Sequence, residues 1–169
     1  MKRVRLSKRL KTISEFIDNG ASVADIGTDH GFLPVYLVQT GSVKSVIASD
    51  MSSASLDSAR RTAAKSGVAK AIKFIVTSGL DRIDPTEVDT IVIAGMGGET
   101  ILGILSDALW TKNSRIKLIL QPQSKVDLLC RFLYDNGYKI LETKSVVDRG
   151  KWYTVVHVNG VSEKEDPLT

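Results

Sequence analysis

One stretch of the chain, Asp25-Ile26-Gly27-Thr28-Asp29-His30-Gly31, sets glycines among acids directly after an apolar run. Glycines at that spacing allow a tight turn whose backbone comes close to a ligand. A dinucleotide-binding turn, G-x-G-x-x-G, lays a pyrophosphate over its middle glycine and a helix N-terminus. Here Asp29 holds the middle position. Its carboxylate repels a pyrophosphate and its side chain blocks close approach. It suits a cofactor with an ammonium, a sulfonium and no phosphate, which describes S-adenosylmethionine. Asp50 lies 23 residues beyond Gly27, near the roughly 20-residue spacing at which an acid holds ribose hydroxyls. The plainer account of Asp50 is an acid favoured by the dipole of the helix after it.

Ser78-Gly79-Leu80 follows a third apolar run, where folds of this kind meet an adenine. Taken alone it is only a turn. Ala94-Gly95-Met96-Gly97-Gly98 is either a tight strand-to-helix turn or an open floor for a flat base. It lacks the Asn/Asp-Pro-Pro-aromatic segment typical of exocyclic amino methylation, which points to a ring nitrogen or another acceptor. His30 either assists chemistry or positions the turn. His157 alternates with Val156 and Val158, and Cys130 sits with Leu129 and Leu133 at helical spacing; both read as structural. Trp110, Trp152 and Tyr153 read as packing or rim residues with some capacity to stack on bases.

These residues need a scaffold, and the hydrophobic pattern supplies one. Apolar runs at Val23–Ile26, Val46–Asp50, Ile72–Val76, Thr90–Ala94 and Leu118–Leu120 alternate with helical patterns at Leu33–Gln39, from Ser52-Ser53 to Gly67, through Ile101–Leu105, and at Val126–Tyr134. Leu6, Leu10, Ile13, Phe16 and Ile17 predict an amphipathic N-terminal helix over about 6–19, closed by Asn19-Gly20. Lys139–Val147 and Trp152–Val158, joined by Asp148-Arg149-Gly150, predict a hairpin. The fold class is therefore α/β: a Rossmann-like, mostly parallel sheet with an antiparallel C-terminal hairpin, the layout of class I S-adenosylmethionine-dependent methyltransferases, with a plain nucleotide-binding fold as the alternative. The 169 residues make one domain over 1–160, followed by a polar tail at 161–169.

Composition removes other classes. A single cysteine excludes an intramolecular disulfide framework and a multi-Cys zinc site, and no metal is expected. No apolar run reaches the roughly 18 residues of a membrane span, and the N-terminus has no secretory apolar core, so a cytoplasmic location is expected. Net charge is +4, and residues 1–20 carry all of it: Lys2, Arg3, Arg5, Lys8, Arg9 and Lys11 oppose Glu15 and Asp18. Residues 21–169, with 17 charges of each sign, are neutral. The basic segment reads as an RNA phosphate contact or as a solvated helix face.

Leu6-Ser7-Lys8-Arg9-Leu10, the Ala24–His30 turn, Ile93-Ala94-Gly95-Met96-Gly97-Gly98 and Leu118-Ile119-Leu120-Gln121-Pro122-Gln123 together resemble the bacterial TrmK family, in order and over nearly the whole chain. That family methylates N1 of the adenosine at tRNA position 22. The resemblance implies S-adenosylmethionine bound by Gly27, Asp29, His30, Asp50, Met51, Gly79 and Leu80, and Ser78 and Gly95 are expected to join them by their places after the third and fourth apolar runs. It implies a target adenine bordered by Gly95, Met96, Gly97, Gln121, Pro122 and Gln123, while the basic charge of the N-terminal segment makes Arg5, Lys8 and Arg9 the expected tRNA phosphate contacts. Asp29 is the expected catalytic group, stabilising the cationic product base. Ser78 stands where the family commonly has an acid, Gln123 where it has Asn, and the family's C-terminal helical domain is expected to be absent. The expected partner is tRNA, with no obligate protein partner. Methylation of another RNA or of a small molecule, and a non-catalytic RNA-binding role, are the competing readings.

Overall fold

A computed structural model describes residues 2–160; the expected polar tail at 161–169 lies outside the described residues. Seven strands form one sheet in the order β3-β2-β1-β4-β5-β7-β6. Strands β1 (Ser22–Ile26), β2 (Ser45–Asp50), β3 (Ile72–Val76), β4 (Thr90–Met96) and β5 (Lys117–Pro122) are parallel. Strands β6 (Lys139–Asp148) and β7 (Lys151–Asn159) form the hairpin, and β7 pairs antiparallel to β5. The last strand in sequence therefore lies inside the sheet and β6 takes its edge.

Side chains alternate across β4 and β5 and divide the core in two. Ile91, Ile93, Leu118 and Leu120 pack with Ile101 and Leu105 of α4 (Gly98–Ser106) and Leu129 and Leu133 of α5 (Val126–Asp135). Val92 and Ile119 face the other way, onto Ile13 of α1 (Lys8–Glu15) and Leu33 and Leu37 of α2 (Phe32–Thr40). Ala63 of α3 (Ser53–Lys65) joins Val35, Ala48 and Ile72 on that second face. Strands covered on both faces explain the nearly unbroken apolar run of β4.

The N-terminal helix is shorter than its periodicity predicts. Ser7 caps it by accepting the Leu10 N–H at 3.2 Å, a standard way to satisfy an orphan donor. Residues 2–6 lie outside it because Ser7 holds an extended cap conformation at ψ 162°, and Gln39 of α2 fastens the segment ahead of it: its Oε1 accepts the Val4 N–H at 2.9 Å and its Nε2 donates to the Lys2 carbonyl at 2.8 Å. Val4 packs beside Val35 and Ala63, so the basic segment is a strap laid over α2 and α3. No helix among the described residues is long and apolar enough to cross a membrane, and they contain no group of three His, Cys, Asp or Glu fit to hold a metal ion.

Candidate active site

At the carboxyl edge of the sheet the turn after β1 closes against the loop after β4. Gly27 has φ 71°, and a Cβ there would stand 2.5 Å from Met96 Cε. The N–H groups of Gly27 and Thr28 both donate to the Ser49 carbonyl at 2.9 Å, fastening the turn to β2. Asp29 takes a left-handed φ of 56°, which Asp tolerates better than most residues. Its N–H then donates to Asp50 Oδ2 at 3.1 Å, while Ser52 donates to Oδ1 at 3.0 Å. An ionised carboxylate offers about four acceptor positions, so Asp50 keeps capacity for two further donors.

The Asp29 side chain is 69% exposed, with His30 Nε2 3.7 Å from its Oδ2. His30 Nδ1 lies 2.9 Å from Ser58 Oγ on α3, an anchor that sets the ring from outside the turn. Met51, 73% exposed, stands next to Asp50. Ser78 is exposed and Gly79 half-buried. The Leu80 side chain is buried in the core, so it has only its backbone to offer a ligand.

On the other side of the turn, the β4–β5 register shifts between Ala94 and Met96. Gly95, at φ 78°, is the extra residue of this bulge, a device that re-aims a strand end. The Met96 carbonyl thereby accepts the Gln123 N–H at 2.7 Å. Gln121 and Pro122 are buried and Gln123 is exposed. Gly97 approaches Ser124, whose Oγ would lie 3.2 Å from an added Cβ. Most of the sequence-predicted residues thus fall into two adjoining groups, Gly27 to His30 with Asp50 and Met51, and Gly95 to Gly97 with Gln121 to Gln123, while Ser78 to Leu80 follow β3 and Arg5, Lys8 and Arg9 lie on the N-terminal segment.

Arg9 departs from the phosphate-contact expectation. Its guanidinium turns inward, donating from Nη1 to Gln121 Oε1 at 2.7 Å and lying 5.8 Å from the Tyr153 ring centroid. The backbone N–H of Arg9 donates to Asp148 Oδ2 at 3.1 Å. Arg5 and Lys8 remain exposed. The physical reason is the end of α1: its first turn is clasped between β5 and the β6–β7 turn, leaving Arg9 on the inner side.

Asp25 carries no role in the sequence reading beyond its place in the motif. It is buried under the turn, accepting from the Thr28 hydroxyl at 2.9 Å. Burial pushes its carboxyl up to about 7, against the Thr28 hydrogen bond and the charge of Arg9, which pull it down. The signal for it is a carboxylate between Ala24 and Ile26 in a strand otherwise built to be covered. Cys130 is only half-buried, less enclosed than its neighbours Leu129 and Leu133. His157 is half-buried with its ring 5.6 Å from that of Phe16, a packing role. Clefts of about 560 and 500 Å³ open at the opposite, amino-terminal edge of the sheet, around Asp18, Arg115 and Lys117 and around Lys44, Lys70 and Lys73. They hold none of the sequence-predicted site residues.

Comparison with known proteins agrees with this geometry. The family described as "Methyltransferase domain" matches residues 6–156. The tRNA (adenine(22)-N(1))-methyltransferase of Bacillus subtilis (strain 168) is 37% identical over 156 residues, 92% of this chain and 66% of its own length. A Streptococcus pneumoniae protein solved with S-adenosyl-L-methionine superposes with a TM-score of 0.87 at 34% identity, covering 96% of this chain and 77% of that one. Mycoplasma capricolum TrmK with S-adenosyl-homocysteine gives 0.82 at 30% identity, covering 96% and 73%. The chain thus spans about two thirds to three quarters of the length of these relatives.

Proposed function

The chain belongs to the methyltransferase-domain family and, within it, to the TrmK branch; from that premise we propose that it transfers a methyl group from S-adenosylmethionine to N1 of an adenosine in tRNA, position 22 by kinship. The observation that carries the reading is the join between the Asp29–Asp50 turn and the glycine-bulged floor that ends at Gln123.

The residues fit the cofactor. Gly27 leaves room where a Cβ would fill the turn, and the spare acceptor positions of Asp50 match a ribose diol. Met51 is exposed to lie against the adenine, beside Ser78-Gly79-Leu80. Asp29 faces the cationic methionine end, with His30 and Gly95 closing the rim. The cofactor, when bound, supplies a sulfonium methyl open to in-line displacement. Adenine N1 already holds an in-plane lone pair, so no base must act first. The work left to the protein is alignment. Met96, Gly97 and the Gln121–Gln123 segment hold the base, and Asp29 stabilises the cationic base until a proton leaves its exocyclic nitrogen. N1 lies on the pairing edge, so the adenosine must swing out of the stack to reach the floor.

Arg5 and Lys8, exposed on the strap and the first turn of α1, meet the phosphates. Such a substrate implies a cytoplasmic location and tRNA as partner, with residues 1–160 forming one methyltransferase domain. The deciding experiment is incubation with methyl-labelled cofactor and bulk tRNA followed by nucleoside analysis. Label is expected in 1-methyladenosine, and label in any other nucleoside overturns the substrate. Asp50→Ala should weaken cofactor binding at least tenfold by calorimetry.

A further inference from the structure

Resting on that reading, we infer that Gln123 recognises the target adenine through its N6 and N7 edge, with the polarity of its carboxamide set by Arg9 through Gln121. A guanidinium can only donate. Arg9 Nη1 donates to Gln121 Oε1 at 2.7 Å, which obliges Gln121 to present its NH₂ on the other side. That NH₂ donates to the Pro122 carbonyl at 3.0 Å and to Gln123 Oε1 at 3.1 Å. Gln121 is wholly buried, and among the described residues its side chain has no other partners. Gln123 must then point its oxygen back at Gln121 and keep its own NH₂ free. A side chain that ordinarily flips between two equal faces is locked into one.

The locked amide sits at the floor of the site. Its residue is exposed, and its backbone N–H is held by the Met96 carbonyl at 2.7 Å, on the loop whose methionine abuts Gly27. The free NH₂ of Gln123 is a donor, and its Oε1 keeps a second lone pair. Adenine offers the matching pair on one edge, an acceptor at N7 and a donor at N6, and a carboxamide is the usual bidentate partner for it. Donation to N1 would consume the lone pair that must attack, whereas the N6 and N7 edge leaves N1 clear. Guanine offers two acceptors on the same edge, so its O6 would face the Gln123 oxygen, and the Arg9 lock forbids the flip that would relieve this. As N1 gains its methyl the base becomes cationic and its N6–H a stronger donor. The bond to Gln123 Oε1 therefore tightens towards the transition state, where it helps the rate most. Arg9 and Gln121 act as positioning residues and Gln123 as the group that touches the base.

The test uses synthetic tRNA carrying either adenosine or 7-deazaadenosine at the target position, with the full chain. The 7-deaza base keeps N1 and N6 and loses only the N7 acceptor. Wild type should methylate it with kcat/KM about tenfold lower. Gln123→Ala should lose activity on adenosine by a similar factor and treat the two bases alike. Arg9→Gln, which donates and accepts equally, should shrink the adenosine preference while cofactor affinity stays at the wild-type value. A purely structural role for Arg9 would lower both substrates together. Equal wild-type rates on the two bases overturn the inference and leave the N1-methylation reading standing. Absence of 1-methyladenosine from the unmodified tRNA overturns both.

Discussion

Asp25 and Asp50 are carboxylates at the ends of neighbouring strands, and their surroundings give them opposite tasks. Asp50 sits at the rim, accepts two backbone N–H groups, and stays available to donors from a ligand. Asp25 is enclosed and its carboxyl is displaced from an ordinary 3.8 to about 7, chiefly by burial. A carboxyl whose folded-state value is raised favours the fold only while protonated. Its cost is absent below pH 3.8, grows between 3.8 and about 7, and is complete above that. Asp25→Asn keeps an acceptor for Thr28 and removes the charge. It should leave stability nearly unchanged at pH 4 and raise it by roughly 2–4 kcal/mol at pH 8. Urea unfolding at the two pH values checks this, and an equal gain at both would mean that Asp25 does not titrate in that window. The acid itself is legible in the motif. Its burial is not, because the Thr28 hydroxyl and the charge of Arg9 come to it only in the folded chain.

The strap and α1 behave as one element with two loads. Gln39 holds residues 2–4 against α2 by two hydrogen bonds, and Ser7 starts the helix behind them. Gln39→Leu should free the Val4 amide to exchange at nearly the rate of an open chain. It should cost about 1 kcal/mol of stability. Mass spectrometry after deuterium labelling reads the first, and continued protection of Val4 would show that side-chain packing alone holds the strap. The apolar runs and caps of β1 to β5 and α2 to α5 stand out in the sequence because both faces of the sheet are covered. The extent of α1 does not: Leu6 continues its periodicity, but Ser7 takes the cap position while Gln39, from another element, holds residues 2 and 4 as a strap. Arg9 is obscure for a similar reason. A cation within a run of cations reads as solvent-facing, and only the clasp by Gln121 and Asp148 turns it inward.

At the scale of the whole molecule, the charge imbalance of the first twenty residues acts on long-range encounter, whereas the neutral remainder leaves the acids of the site unopposed. Replacing Arg5 and Lys8 together with Ala should reduce the slope of log tRNA affinity against log salt by roughly 1.5. Cofactor affinity should not move. A titration series across salt concentrations decides it, and an unchanged slope would return the basic segment to a merely solvated face. Sheet order carries a further consequence, in the time during which the chain is made. β6 emerges from synthesis before β7, yet it meets the sheet only through β7, which lies between it and β5. The Asp148 that holds Arg9 and the Tyr153 beneath its guanidinium are delivered by that same late hairpin. A nascent chain therefore carries the turn after β1 and the Gln121–Gln123 segment before the hairpin that fixes Arg9 exists. The orientation of Arg9 towards Gln121 thus waits on the last strands of the sheet.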